Sequence, residues 1–229
     1  MIFGGFEKFT LIDYPGKIAS VVYTIGCNFR CPYCHNPELV DETVEKRFTE
    51  EEIINFLKHR KGFIDGLVIT GGEPTMHQED LLTFMKKVKN LGFLVKLDSN
   101  GTNPKVLKKA IETKVVDYIA MDIKSPLYKY SQAVSRPVDV KAIRESIDLL
   151  MSSPVEYEFR TTVVKTLLPP EDLEEIGKEI KGAKKYYLQK FVSTKILNPQ
   201  FRKKTSYSPE EFKEFQKILN NYVQYCGIR

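Results

Sequence analysis

Residues Gly66–Ser99 read GLVITGGEPTMHQEDLLTFMKKVKNLGFLVKLDS, and the fold turns on this stretch. Gly66–Thr70 is a short apolar run with the look of a strand. Asp80–Leu91 is an amphipathic helix, and Phe93–Asp98 is a second strand. A strand, a helix and another strand in so short a span make a parallel crossover unit, because a parallel return needs a long connection.

The same rhythm continues on both sides. Upstream, Ile18–Thr24 is apolar and β-branched. Thr49–Arg60 is a helix with Thr49 and Glu52 as its capping box and Ile53, Ile54 and Leu57 on one face. Downstream follow helix Pro104–Thr113, strand Val115–Ile123, helix Val140–Met151, strand Val155–Val164, helix Pro170–Lys181 and strand Tyr186–Val192. A last helix, Ser208–Tyr225, opens with Ser208 and Glu211 as a capping box and Pro209 at its first position. The alternation implies an α/β fold with a parallel sheet covered by helices. About six βα units fall short of the eight of a closed barrel. The expectation is an incomplete, TIM-like barrel with a curved sheet; a flat doubly wound sheet is the alternative. No linker, low-complexity tract or repeat divides the chain, so one domain is expected over residues 1–229, with its core at about 18–192 and a C-terminal helix at 208–225. Asn36–Phe48 and Ser193–Tyr207 are the longest loops.

The 229 residues are 42% hydrophobic and 28% charged, which excludes a disordered tail, a fibre or a small disulfide scaffold. No apolar run reaches the roughly 20 residues of a membrane helix, and the first residues lack the order of a signal peptide. A cytoplasmic location with no membrane partner is expected. The net charge of +5 is local: Lys184–Arg229 holds ten basic and three acidic residues. This is either a solvated face or a docking surface for an acidic partner. No nucleic-acid motif interleaves with it, so no nucleic-acid partner is expected.

The polar clusters follow the strands. The first strand runs into Cys27–Asn36, the second into Gly71-Gly72-Glu73-Pro74-Thr75, the third ends at Asp98-Ser99-Asn100-Gly101 and the fourth at Asp122-Ile123-Lys124. The fifth carries Arg160-Thr161-Thr162 and the sixth Gln189-Lys190-Phe191. Sites of parallel α/β folds form at the carboxyl ends of the strands, so this placement argues for an enzyme. Three of the four cysteines, Cys27, Cys31 and Cys34, share one loop. Three thiolates can hold three irons of a cubic iron–sulfur cluster and leave the fourth iron open to a reactant. A zinc site completed by His35 or Cys226 is the alternative, although the second C-x-x-C hook usual for structural zinc is missing. Cys226 reads as structural. His35 and His77 read as hydrogen-bonding groups of the cluster or its loop, since no nucleophile–base constellation is present.

The spacing Cys27-x-x-x-Cys31-x-x-Cys34, with Tyr33 before the last cysteine, resembles the signature of the radical S-adenosylmethionine (radical SAM) enzymes. Gly71-Gly72-Glu73-Pro74 matches their second motif. The resemblance implies one [4Fe-4S] cluster, with SAM bound at its open iron. Reductive cleavage of SAM then yields methionine and a 5′-deoxyadenosyl radical that abstracts hydrogen. Cys27, Cys31 and Cys34 would be the metal ligands, with no catalytic residue beyond the groups that hold cluster and SAM. By the same likeness Gly71 and Gly72 let backbone approach the methionyl part of SAM, Glu73 accepts from its ammonium group, and Phe29 and Tyr33 pack near the adenine or belong to the core.

Phe9–Lys17, together with Cys34-His35-Asn36-Pro37-Glu38-Leu39, is similar to the activating enzymes of glycyl radical enzymes. The likeness, from about Gly5 to Phe191, is nearest to those serving anaerobic ribonucleoside-triphosphate reductase, and pyruvate formate-lyase activating enzyme is a relative. It implies that Ser99, Asn100, Asp122, Lys124 and Arg160 bind SAM, with Lys124 and Arg160 on its oxygens. It also implies that Asp98, Ser99 and Asp122 hold a monovalent cation beside its carboxylate. Gln189 and Phe191 line the adenine pocket or finish the barrel. The partner would be a glycyl radical enzyme, anaerobic ribonucleotide reductase, and the electron donor an acidic protein such as flavodoxin docking on the basic C-terminal region. Tyr14 stands where relatives have a glycine, and no cysteine-rich insert for a second cluster follows Cys34. Two other readings stay open: a radical SAM enzyme acting on a small molecule, of the 7-carboxy-7-deazaguanine synthase kind, and a zinc-binding interaction module without catalysis.

Overall fold

The computed structural model describes residues 1–229. The chain begins with strand β1 (Ile2–Thr10), followed by β2 (Ala19–Thr24), a one-turn helix α1 (Pro37–Val40), β3 (Phe48–Thr49) and α2 (Glu50–His59). Then come β4 (Gly66–Gly71), α3 (Gln78–Asn90), β5 (Leu94–Ser99), α4 (Pro104–Glu112) and β6 (Tyr118–Asp122). The chain continues through α5 (Tyr130–Val134), α6 (Val140–Ser152), β7 (Glu156–Val163), α7 (Pro170–Glu179), β8 (Tyr186–Lys190), α8 (Pro209–Leu219) and β9 (Cys226–Ile228).

All nine strands form one sheet in the order β3-β1-β2-β4-β5-β6-β7-β8-β9. Every pair from β2 to β9 is parallel. The sheet is curved and does not close, since β3 and β9 are its two edges. This is the expected incomplete barrel, and six of its parallel strands are the six read from the sequence. Both capping boxes are present, at Thr49/Glu52 and Ser208/Glu211. No helix is long and apolar enough to cross a membrane.

The sequence reading did not include the short α1, β3 and α5, nor the strands β1 and β9. Strand β1 runs antiparallel to β2, with register shifts between Phe3 and Gly5 and between Glu7 and Thr10. Such bulges break the two-residue alternation by which a strand is recognised, and only Phe3 and Thr10 of the strand are buried. At the other end, the helix expected over Ser208–Tyr225 stops at Leu219. The chain turns at Asn220 and Asn221 and adds β9 beside β8, which seats Cys226 in the core. Asn220 Oδ1 accepts from the Cys226 N–H at 2.9 Å and fixes that turn.

The core has two parts. Fifty buried residues lie between the sheet and the helices. A smaller cluster (Tyr14, Ala19, Val21, Val68, Tyr118 and Ala120) fills the inner, concave face near the strand N-termini. Tyr14, whose ring lies 5.9 Å from that of Tyr118, plugs this end. The inner positions nearer the strand C-termini carry charge instead: Lys96, Asp98, Asp122 and Arg160. Apolar filling stops where the site begins.

Candidate active site

A cavity of about 300 Å³ opens at the carboxyl ends of the parallel strands. It is lined by Cys27, Phe29, Cys31, Tyr33, Cys34, Gly71, Gly72, Glu73, Asp98, Ser99, Asn100, Asp122 and Lys124. Every site residue named from the sequence is therefore here except Arg160, which lies beneath. Gln189 joins the wall, as do His35, Asn36, Thr162 and Lys190. Phe191 is buried behind His35, ring centroids 6.2 Å apart.

The cysteine loop follows β2 and is held from several sides. The Gly26 N–H donates to the Leu39 carbonyl at 2.8 Å, and the Arg30 N–H to that of Val134 at 2.9 Å. His77 Nε2 lies 3.0 Å from the Ile25 carbonyl, so this histidine does bond the loop backbone. The late segment closes over the loop: the Leu197 N–H donates to Cys34 O at 2.9 Å and the Asn198 N–H to Pro32 O at 3.0 Å. All three thiols are free, and two have backbone donors: Phe29 N–H to Cys27 Sγ at 3.4 Å and Asn36 N–H to Cys34 Sγ at 3.5 Å. No three His, Cys, Asp or Glu side chains gather as ligands around one ion. All three cysteines line the one cavity, as a cluster in which each sulfur meets its own iron requires. The Tyr33 hydroxyl is buried there without a hydrogen-bond partner, which leaves a donor for a bound group. The residues present thus fit an iron–sulfur cluster with a ligand beside it.

Burial pushes the Cys27 thiol up to about 12 and the Cys31 thiol to about 11, against an ordinary value of 9.0. Loading iron must displace those protons. The sign for stability follows from linkage. Above pH 9 an unfolded thiol loses its proton while the folded one keeps it, so the metal-free chain loses stability as pH rises toward 11. For the buried Cys31 alone the slope approaches about 1.4 kcal/mol per pH unit. The expected result is an apo melting temperature that falls between pH 9 and 11 and a shallower fall once iron is loaded. Parallel profiles for the two forms would contradict it.

Gly71 and Gly72 serve the backbone. Gly71 has φ +114°, and a Cβ there would lie 2.5 Å from Thr24 N; a Cβ on Gly72 would lie 1.9 Å from Gly26 O. The end of β4 thus presses against the start of the cysteine loop, and glycine permits the approach. Two bonds seal it, Gly72 N–H to Thr24 O at 2.9 Å and Glu73 N–H to Gly26 O at 2.8 Å. Glu73, only 1% exposed, ties β4 to β5. Its Oε1 accepts from Thr75 N–H at 3.1 Å, from the Thr75 hydroxyl and from Ser99 Oγ at 2.8 Å, and its Oε2 accepts from Asn100 N–H at 2.7 Å. Burial nonetheless holds this carboxyl above its ordinary range. The sequence reading assigned Glu73 to a ligand's ammonium group; in the structure most of its acceptor capacity is spent on the protein.

The charged residues form one chain of ion pairs. Lys96 Nζ donates to Asp98 Oδ1 at 2.7 Å. Arg160 Nη1 reaches Asp98 Oδ2 at 3.1 Å, and its Nε reaches Asp122 Oδ1 at 2.9 Å. Lys124 Nζ donates to Asp122 Oδ2 at 3.0 Å. Burial alone would raise both carboxyls, but Arg160 with Lys96 holds Asp98 low, and Arg160 with Lys124 brings Asp122 down to about 2. Arg160, expected on a ligand's oxygens, is thus spent on the two aspartates. Ser99, expected beside them, turns its hydroxyl to Glu73. Lys124 keeps a place on the cavity wall. Phe29 packs on Tyr130, ring centroids 6.1 Å apart, so the core alternative describes part of its role.

The sequence reading missed Lys96 and gave no role to Thr75 or to Asn28, whose Oδ1 accepts from Asn100 Nδ2 at 2.8 Å. Lys96 carried one signal: a lysine inside an apolar strand, two positions before an aspartate and so on the same face.

The radical SAM superfamily profile matches residues 21–183. A Methanocaldococcus jannaschii protein named "Putative glycyl-radical enzyme activating enzyme" is 35% identical over 229 residues, covering 98% of this chain and 94% of its own length. The pyruvate formate-lyase-activating enzyme of Clostridium pasteurianum is 33% identical over 122 residues, 52% of this chain and 50% of that one. A solved radical SAM methyltransferase from Sphaerobacter thermophilus superposes with a TM-score of 0.70 at 15% identity, over 96% of this chain and 68% of that one. At that identity the likeness is one of fold.

Proposed function

The chain belongs to the radical SAM superfamily, among the glycyl-radical enzyme activating enzymes, and we propose that it abstracts hydrogen from a glycine of anaerobic ribonucleotide reductase. Enzymes of this superfamily use a [4Fe-4S] cluster and SAM. The observation that carries the reading is the single cavity in which the three cysteines of one loop meet the ends of β4, β5 and β6. Cys27, Cys31 and Cys34 would hold the cluster. When bound, the cofactors supply a reductively generated 5′-deoxyadenosyl radical.

The protein's own residues position and shield. Gly71 and Gly72 set the cysteine loop against β4, and His77 fixes its first turn. Glu73 locks the two strand ends that form the floor. Lys124, braced by Asp122, offers its ammonium charge to a carboxylate of SAM, and Tyr33 offers a hydroxyl. Ser99 and Asn100 place backbone on the same wall. The open sheet leaves a way in for an extended glycine loop, and the whole chain acts as one radical SAM domain.

The electron donor in this reading is an acidic protein such as flavodoxin. Its support is the segment holding Lys195, Arg202, Lys203 and Lys204, whose Leu197 and Asn198 bond directly to the cysteine loop. Exchanging Lys203 and Lys204 for Glu is expected to slow reduction by the donor about tenfold at low salt and far less at high salt. Unchanged reduction rates would remove this surface from the reading. For the reaction itself, the loaded protein is incubated with reductant, SAM and a reductase labelled with α-deuterated glycine. Deuterium in the 5′-deoxyadenosine, together with a glycyl radical signal, is the expected result. SAM cleavage with no deuterium transfer would exclude this partner.

A further inference from the structure

The inner face of the barrel holds an uneven set of charges directly under the cavity: Lys96, Arg160 and Lys124 against Asp98 and Asp122. We propose that Lys96 is a built-in cation of this site, its ammonium group standing with Arg160 on the two aspartates so that no metal cation is needed there. The inference rests on the SAM-binding reading only for the identity of the ligand above.

Each of the four carboxylate oxygens of Asp98 and Asp122 accepts from a cationic nitrogen, at 2.7, 3.1, 2.9 and 3.0 Å. The Lys96 side chain is 2% exposed and donates to Asp98. Lysine is almost never buried to this degree unless paired. The residue comes from β5, where the two-residue period puts Lys96 and Asp98 on the same inward face. Of the other ionisable groups near it, Arg229 bonds both oxygens of Glu158, at 2.7 and 2.9 Å, and the Glu73 carboxyl on the cavity wall is bonded to Ser99 and Asn100. The five-residue network thus carries one positive charge in excess. A metal ion placed between the aspartates would make the excess two, and like charges at this range repel. Its third expected ligand, Ser99 Oγ, is already engaged on two sides, donating to Glu73 and accepting from Gly101 N–H at 3.1 Å, which leaves one lone pair. These residues do not fit a monovalent cation. The surplus charge instead faces the cavity, where it attracts an anionic group.

The test compares potassium, sodium and tetramethylammonium chloride at one ionic strength. It reads the melting temperature of the cluster-free protein and the SAM dissociation constant of the loaded protein by equilibrium dialysis. For the wild type, both are expected to be the same in the three salts, the dissociation constant within twofold. Lys96→Met is expected to gain a potassium response, with a higher melting temperature and SAM binding at least tenfold tighter than in tetramethylammonium. A tenfold potassium effect on the wild type, or a Lys96→Met protein as indifferent as the wild type, overturns the proposal. Should Lys96→Met not fold, sodium-23 line broadening on the wild type decides: broadening displaced by potassium refutes, and its absence supports. If SAM binds in none of the salts, the proposed function fails, while the melting temperatures still answer for Lys96.

Discussion

Replacing Cys31 with alanine is expected to abolish SAM cleavage while leaving a folded protein. Cys31 is the most buried of the three loop cysteines, 7% exposed and in contact with the main core. In the proposed role of cluster ligand it would be irreplaceable, because alanine offers iron no donor. As a packing element it is small, and removing one sulfur from a core position costs about 1 kcal/mol, within what a chain of this size tolerates. The variant should keep the wild-type circular dichroism spectrum, melt a few degrees lower at most, hold less iron and sulfide after anaerobic reconstitution, and yield no 5′-deoxyadenosine. Electron paramagnetic resonance of the reduced protein, before and after SAM, reports the cluster independently. Cleavage within a few-fold of wild type would remove Cys31 from the ligand set. A wild type that takes up zinc in place of iron would return the loop to a structural role.

The second large effect is expected from Gly72→Ala, a change at a backbone contact. The added methyl would sit 1.9 Å from Gly26 O and 2.7 Å from Gly26 C. Both are backbone atoms, so no side chain can swing aside. The end of β4 must retreat from the cysteine loop, which breaks the bonds from Gly72 N–H to Thr24 O and from Glu73 N–H to Gly26 O. Two buried hydrogen bonds at roughly 1–3 kcal/mol each, with the accompanying strain, put the loss at about 3 kcal/mol or more. The cysteine loop would be displaced with it, so cluster content should fall too. Gly62→Ala is the comparison. Gly62 has a positive φ, +85°, which Gly72 lacks, and nothing lies within 4 Å of its Cβ position, so there only the backbone preference is lost, about 1 kcal/mol. Melting temperatures of the two variants separate these causes. A Gly72→Ala protein as stable as Gly62→Ala would mean the β4–loop contact does not hold the site together.

Both predictions concern residues that were visible in the sequence, yet the sequence explained them unequally. The cysteine spacing states its own chemistry, since three thiolates in one loop remain neighbours whatever the rest of the chain does. The glycine pair announced a close approach of backbone, read by resemblance as an approach to the methionyl part of SAM, and did not show the approach to protein. What it approaches, Gly26, belongs to the preceding strand's loop, brought there by the parallel register of Thr24 with Gly71. Glu73 shows the same limit. Its position at a strand end was legible, but its partners Ser99 and Asn100 come from the next strand and add a locking role that the sequence did not show.

The sequence by itself determined the alternation of six parallel strands with helices, the expectation of an incomplete barrel, the loop that bears the cysteines and the gathering of polar groups at one end. Each of these depends on periodicity or spacing over a few residues, and each unit carries it independently. The tertiary structure alone decided the bulged first strand, the short last one and the pairing of charges. Asp122 faces Arg160 because β6 and β7 align in that register. Arg160 reaches Asp98, 62 residues away in the chain, because both point into the concave face of one curved sheet. Which cation answers which carboxylate depends on strand register and sheet curvature, which no local pattern of residues records.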